Sequence, residues 1–133
     1  MTNTEFSASY LNTAKEILQE TESLFQKEIW HLVVRRSQEC VELCLKSLLR
    51  GAGIEVPHLH DVGTLLKKHS DRFPKWPMDR LVSISRRLRE EREISFYGDD
   101  VTETPPEELY DKVDADQALQ DVRWLLNLIT EKY

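Results

Sequence analysis

The sequence is short of residues that break regular structure, with 4 glycines and 5 prolines in 133 residues. A collagen-like or Pro/Gly-rich low-complexity chain is thereby excluded. Its 2 cysteines cannot form a disulfide framework, and a chain of this length buries roughly two-thirds of its unfolded surface without covalent staples. No apolar run approaches the roughly 20 residues of a membrane span. The polar opening MTNTEFSASY lacks a signal peptide's basic and apolar regions. One domain over residues 1–133, in the cytoplasm and away from membranes, is the expectation. Basic residues are in deficit as well: 18 Lys+Arg face 24 Asp+Glu, a net charge of −6. That balance argues against a general nucleic-acid coat, which depends on neutralising phosphates. The chain has no Gly-rich phosphate loop, H-E-x-x-H, nucleophile elbow or Cys–His signature. No enzyme class therefore has a motif behind it, and nothing calls for a cofactor.

What the chain does have is helical periodicity. Phe6, Tyr10, Ala14, Ile17, Leu18, Leu24 and Phe25 recur at three- and four-residue spacing, predicting a helix capped by Thr2 or Thr4 and running to about Lys27. A second helix is predicted from about Glu28 to Leu49, closed by Gly51-Ala52-Gly53. Asp61 is the natural N-cap of a short third helix, and the prolines of Phe73-Pro74-Lys75-Trp76-Pro77 end it. A fourth helix fits Met78 to about Glu93. After an irregular stretch, Glu107 to Tyr110 suggests a helical turn, and Asp114 or Asp116 opens a final helix. No strand pattern emerges. The fold expectation is all-α, an antiparallel bundle of four to five helices.

Charge is unevenly spread. Residues 94–121 contain nine acids and one base, Lys112, for a net −8, leaving +2 on the rest. Just before that segment lie Arg80, Arg86, Arg87, Arg89 and Arg92, interleaved with Glu90, Glu91 and Glu93. Arginine forks suit phosphate and Tyr97 can stack on a base, although a charge-laced solvent face has the same composition. On the second helix, Gln38, Glu42 and Lys46 form a polar row at i, i+4 and i+8, either a solvated face or the border of a pocket. Cys40 and Cys44 share that helix. Their Cβ atoms stand about 6 Å apart, too far for the about 4 Å of a disulfide. They read as buried small hydrophobes. His58 and His60 form an H-x-H pair nearby, without the C-x2-C knuckle usual for zinc, so no metal site is expected.

Several of these segments together resemble the HEPN domain. Arg35-Arg36-Ser37-Gln38-Glu39-Cys40-Val41-Glu42-Leu43-Cys44-Leu45-Lys46-Ser47-Leu48-Leu49 is similar to the family's Q-x-x-x-E-x-x-x-K helix. Gly53 and His60-Asp61-Val62-Gly63-Thr64-Leu65-Leu66 resemble its linker and H-x-(hydrophobic)-x-x-L-L helix. Arg92 through Tyr97-Gly98-Asp99 resembles its tyrosine-and-acid turn. The resemblance spans about residues 6–132. It implies a helical bundle, usually a homodimer, often working with a minimal nucleotidyltransferase in toxin–antitoxin or related pairs. Active relatives are metal-independent ribonucleases with an R-x4-6-H motif. Here the last histidine is His69, and the shortest family spacing from Arg92 lands on Tyr97. A phenol, with an ordinary pKa near 10, is a poor base at neutral pH. The resemblance therefore implies a non-catalytic module binding a nucleotide or a nucleotidyltransferase-type partner. Gln38, Glu42, Lys46, Arg89, Arg92, Tyr97 and Asp99 are its candidate ligand-binding residues. Lys46 and Arg92 would meet phosphate, Tyr97 would stack or donate, and Asp99 would orient an arginine or a sugar hydroxyl. A divergent ribonuclease using Arg92 and Tyr97 is the alternative.

Overall fold

The computed structural model describes residues 2–57 and 61–132. In chain order it has α1 (Asn3–Gln26), α2 (Trp30–Gly51), α3 (Val62–Lys68), a 3-10 turn (Ser70–Arg72), α4 (Met78–Glu90), the single turn α5 (Ile94–Tyr97), a second 3-10 turn (Pro106–Glu108) and α6 (Lys112–Lys132). Among the described residues there is no strand, only an isolated antiparallel bridge between Asp99 and Thr104. The all-α bundle expected from periodicity is the observed fold. No helix among the described residues is long and apolar enough to cross a membrane. His58 and His60 lie outside the described residues.

Local chemistry sets most boundaries. Thr2 caps α1 with a reciprocal box, its side chain accepting from the Glu5 N–H while Glu5 accepts from the Thr2 N–H. The break between α1 and α2 falls at Glu28, whose φ of 61° is left-handed, so α2 starts at Trp30 rather than Glu28. A non-glycine residue at positive φ is uncommon and gives no compositional warning. The final helix opens at Lys112, earlier than the predicted Asp114 or Asp116. Asp111 caps it instead, its carboxylate accepting from the Asp114 N–H at 3.0 Å while Asp114 accepts from the Asp111 N–H at 3.1 Å. The turn expected over Glu107 to Tyr110 is a 3-10 turn over Pro106–Glu108, started by proline.

Three pairings show that α1 and α2 run antiparallel. Ser7 meets Ser47, Cys40 Sγ donates to the Ala14 carbonyl at 3.2 Å, and the Phe25 and Trp30 rings meet edge to face at 5.1 Å. α2 is the central element, with eleven of its 22 residues buried. It packs against every other helix of the fold. Leu45, Leu48 and Leu49 are fully enclosed with Leu66, Leu125 and Ile129. Both cysteines belong to this core. The Cys40 hydrogen bond and burial push the Cys44 thiol well above its ordinary range, so it is held as an unreactive SH.

α4 runs antiparallel to α6, with the Arg80 guanidinium 3.7 Å over the Trp124 ring and Arg87 2.8 Å from Asp121. α3 approaches α4 closely at Gly63, where a Cβ would lie 2.9 Å from Ser85 Oγ. Gly98 ends α5 at φ 83°, and a Cβ there would sit 2.4 Å from the Thr104 carbonyl oxygen. Gly98→Ala should therefore cost about 1–3 kcal/mol. It should also expose the Asp99 amide, which donates to that same carbonyl at 2.9 Å. Thermal unfolding and amide exchange read both effects, and an unchanged melt would contradict the close approach.

Candidate functional site

The structure divides the seven predicted site residues among three places. Gln38, Glu42, Arg89 and Arg92 come together in one cleft, joined by Val41, Asp61, Val62, Ser85 and Leu88. α2 brings Gln38 and Glu42 at i and i+4, and α4 brings Ser85 and Arg89 at the same spacing from the other wall. Arg92 follows just past the α4 end. Asp61, read from sequence only as a cap, is the cleft's third acid-or-amide group and pairs with Arg89 at 2.7 Å. The free space is about 30 Å³. That is room for a water or two, not for a nucleotide.

Chemically the cleft mixes acceptors and donors. Gln38 Oε1 is buried without a hydrogen-bond partner among the described residues, while Arg89 and Arg92 carry forked donors. Such a site holds a small hydrogen-bonding group, or frames the edge of a larger ligand lying over it. Asp61 has competing influences. Burial acts to raise its pKa, but hydrogen bonds from Thr64 and Gly63 and the Arg89 charge outweigh it, holding the carboxyl below its ordinary value.

Lys46 does not reach this cleft. It pairs weakly with Glu42 at 3.6 Å and lines a separate groove with Phe6, Tyr10, Arg50 and Val56. Tyr97 and Asp99 line a third depression with Asp100, Glu103, Thr104 and Pro105. Asp99 is occupied locally, its carboxylate accepting from the Val101 N–H at 2.9 Å. The Tyr97 ring is largely exposed, at 68%. Four large apolar side chains, Ile94, Phe96, Tyr97 and Val101, stand exposed within this short segment.

Arg35 links the cleft to that surface, and the candidate set lacked it. Its guanidinium lies 5.0 Å over the Phe96 ring, its Nη1 donates to the Arg92 carbonyl, and its Nε is 3.4 Å from Glu39. The contact joins residues 57 apart in sequence, so no local spacing announces it. On the opposite flank of α4 is a larger cavity of about 330 Å³, lined in part by Glu91, Tyr110, Gln117 and Asp121. Tyr110 donates to Glu91 there. Burial raises the Asp121 pKa against the opposing pull of Arg87 and Gln117. Its polar groups are largely satisfied within the chain. No cluster able to hold a metal ion occurs among the described residues.

The Asp61 cap can be tested by pH. Asp61→Ala should lower stability by about 1 kcal/mol at neutral pH, the usual worth of a side-chain N-cap. Because the folded pKa is depressed, this contribution is present above the unfolded value and fades as pH falls through the folded one. Denaturant titrations of both proteins should therefore converge in strong acid. A gap that persists there would mean that the charge is not what matters.

Comparison with known proteins agrees with this geometry. The model of the HEPN domain family matches residues 7–133. Among solved structures, ST0689, an archaeal HEPN homologue, is 26% identical with a TM-score of 0.74, over 95% of this chain and 96% of that one. TT1696 from Thermus thermophilus shares the fold at 20% identity and a TM-score of 0.72, over 96% and 98% of the two chains. No curated protein matches the sequence. With the helix order, the Gln38–Glu42 row facing the α4 arginines and a match over almost the whole length, the chain belongs to the HEPN domain family.

Proposed function

We propose that this HEPN chain is a non-catalytic module that acts by association, pairing with a second copy of itself and binding a nucleotide or a nucleotidyltransferase-type partner at the α4–α5 end. The observation that carries this reading is the exposure of Ile94, Phe96, Tyr97 and Val101 in the short segment that follows Arg92. Large apolar side chains left exposed in one segment favour being covered by a partner. The arginine forks of the cleft suit phosphate, and the exposed Tyr97 ring, in a separate depression, suits stacking on a base. The narrow cleft supports placing such a ligand over the surface, with Gln38 and Arg92 at its edge. A two-component arrangement of the toxin–antitoxin kind fits a chain whose own side chains form no catalytic set among the described residues.

The ribonuclease alternative has less behind it. Arg92 and Tyr97 line different depressions, and no histidine is among the described residues that line either. Incubation with labelled structured RNA should leave it intact. Cleavage lost in both Arg92→Ala and Tyr97→Phe would instead establish that alternative.

Two measurements test the association reading. Light scattering on the eluting full-length chain should give a dimer, and Phe96→Ser with Tyr97→Ser should shift it toward monomer. Calorimetric titration with a nucleotide panel should show binding that Arg92→Ala weakens about tenfold, the loss of one charge-assisted contact. A monomer at every concentration removes the pairing half, and no heat at millimolar nucleotide removes the ligand half. Co-purification with the product of the neighbouring gene tests the partner directly.

A further inference from the structure

Toward the C-terminal end of α2, away from the arginine cleft, Phe6, Tyr10, Lys46, Arg50 and Val56 line a groove of about 240 Å³. Its walls are fixed before any ligand arrives. Ser7 Oγ donates to the Ser47 carbonyl at 2.8 Å and Ser47 Oγ donates to the Ser7 carbonyl at 2.8 Å, latching the first turns of α1 to the last turns of α2. The Arg50 guanidinium lies 4.1 Å over the Phe6 ring, and the Phe6 and Tyr10 centroids are 6.0 Å apart.

The electrostatics of this groove are one-sided. Among the described residues, its lining has two cations and no carboxylate. Lys46 has, among the described residues, the 3.6 Å contact with Glu42 as its one ion pair. Arg50 has no ion pair among the described residues, and its buried Nε lacks an acceptor. The guanidinium over the Phe6 ring keeps forked N–H donors, which a carboxylate or phosphate matches. Rings and an aliphatic side chain complete the walls, so the groove offers charge at one end and apolar surface along the rest.

We propose that this groove binds a small oxyanion with an apolar body, a carboxylate or phosphate monoester whose charged end bridges Lys46 and Arg50 while its body lies against Phe6, Tyr10 and Val56. The volume is below the usual range of drug-sized pockets and suits roughly ten non-hydrogen atoms. Preorganisation by the two serines means that little ordering remains to oppose binding. None of this depends on the α4–α5 surface, since the two share no residue.

The test is a titration of the full chain with phenyl phosphate, with phenylpropionate and with benzyl alcohol as the uncharged control, followed by backbone-amide NMR shifts. At least one anion should move the Tyr10, Lys46 and Val56 amides and saturate at millimolar concentration, and the stronger of the two identifies the preferred head group. Benzyl alcohol should bind at least about tenfold more weakly, and Arg50→Gln should weaken the anion about tenfold. Lys46→Gln, at a partly exposed position, provides a second variant should Arg50→Gln fail to fold, and should weaken binding several-fold. Raising salt should reduce affinity. Arg92→Ala should leave this titration unchanged. Equal binding of the alcohol, indifference to both the Arg50 and Lys46 changes, shifts confined to the α4 arginines, or no shift at millimolar anion would each overturn the proposal.

Discussion

The burial of α2 is the constraint on which the rest depends. A helix with an apolar stripe needs one covering layer, but α2 is enclosed over much of its circumference and needs covers from several directions. α1 covers one flank over its whole length, α6 another, and α3 with α4 closes much of what remains. Polar residues of α2 are drawn inside with the apolar ones. Ser47 solves this by bonding to Ser7, whereas Ser37 Oγ and, in the arginine cleft, Gln38 Oε1 have no hydrogen-bond partner among the described residues. Buried groups of that kind are ordinarily satisfied by ordered water.

The charge imbalance has a structural counterpart. Acids after α4 are used locally: Asp99 holds its own loop, Asp111 and Asp114 cap α6, and Asp121 faces Arg87. Arg89 finds its acid in Asp61, at the start of the neighbouring α3. Among the described residues neither Arg92, just before the exposed aromatic segment, nor Arg50, on the Phe6 ring, has an ion pair. Two surfaces of different character result, an exposed apolar one at α5 and a basic, aromatic-lined groove at the end of α2. Lys46 belongs to the second, although its place in a polar row with Gln38 and Glu42 associated it with the first.

Legibility in the sequence followed how local each determinant is. The α1 capping box, the Asp61 cap and the apolar stripes of α2 and α6 are written in residues at most a few turns apart, and these elements formed as expected. The Glu28 break and the α6 start at Lys112 were harder. The first uses a left-handed residue that composition does not flag, and the second was obscured by four aspartates crowded into residues 111–121, each able to cap. The candidate site was legible as a helix face but not as a place. Gln38, Glu42, Arg89 and Arg92 converge because α2 and α4 pack, while Tyr97, on α5, and Asp99, past the Gly98 bend, line a separate depression. Arg35 on Phe96 and Arg50 on Phe6 are stacking contacts between separate elements, and a single sequence has no periodicity to report them.

The three-residue link around Glu28 also bears on how the chain reaches its fold. Closing so short a loop costs little chain entropy, and each contact between α1 and α2 is then gained in turn from the link outward. The α1–α2 hairpin is thus the cheapest part of the bundle to nucleate. α6, separated from α2 by α3, α4 and the acidic segment, must close a long loop before its apolar face is rewarded. An incomplete or newly synthesised chain therefore has its central helix covered on one flank and bare on another, and the last helix to dock decides when the core is finally sealed from water.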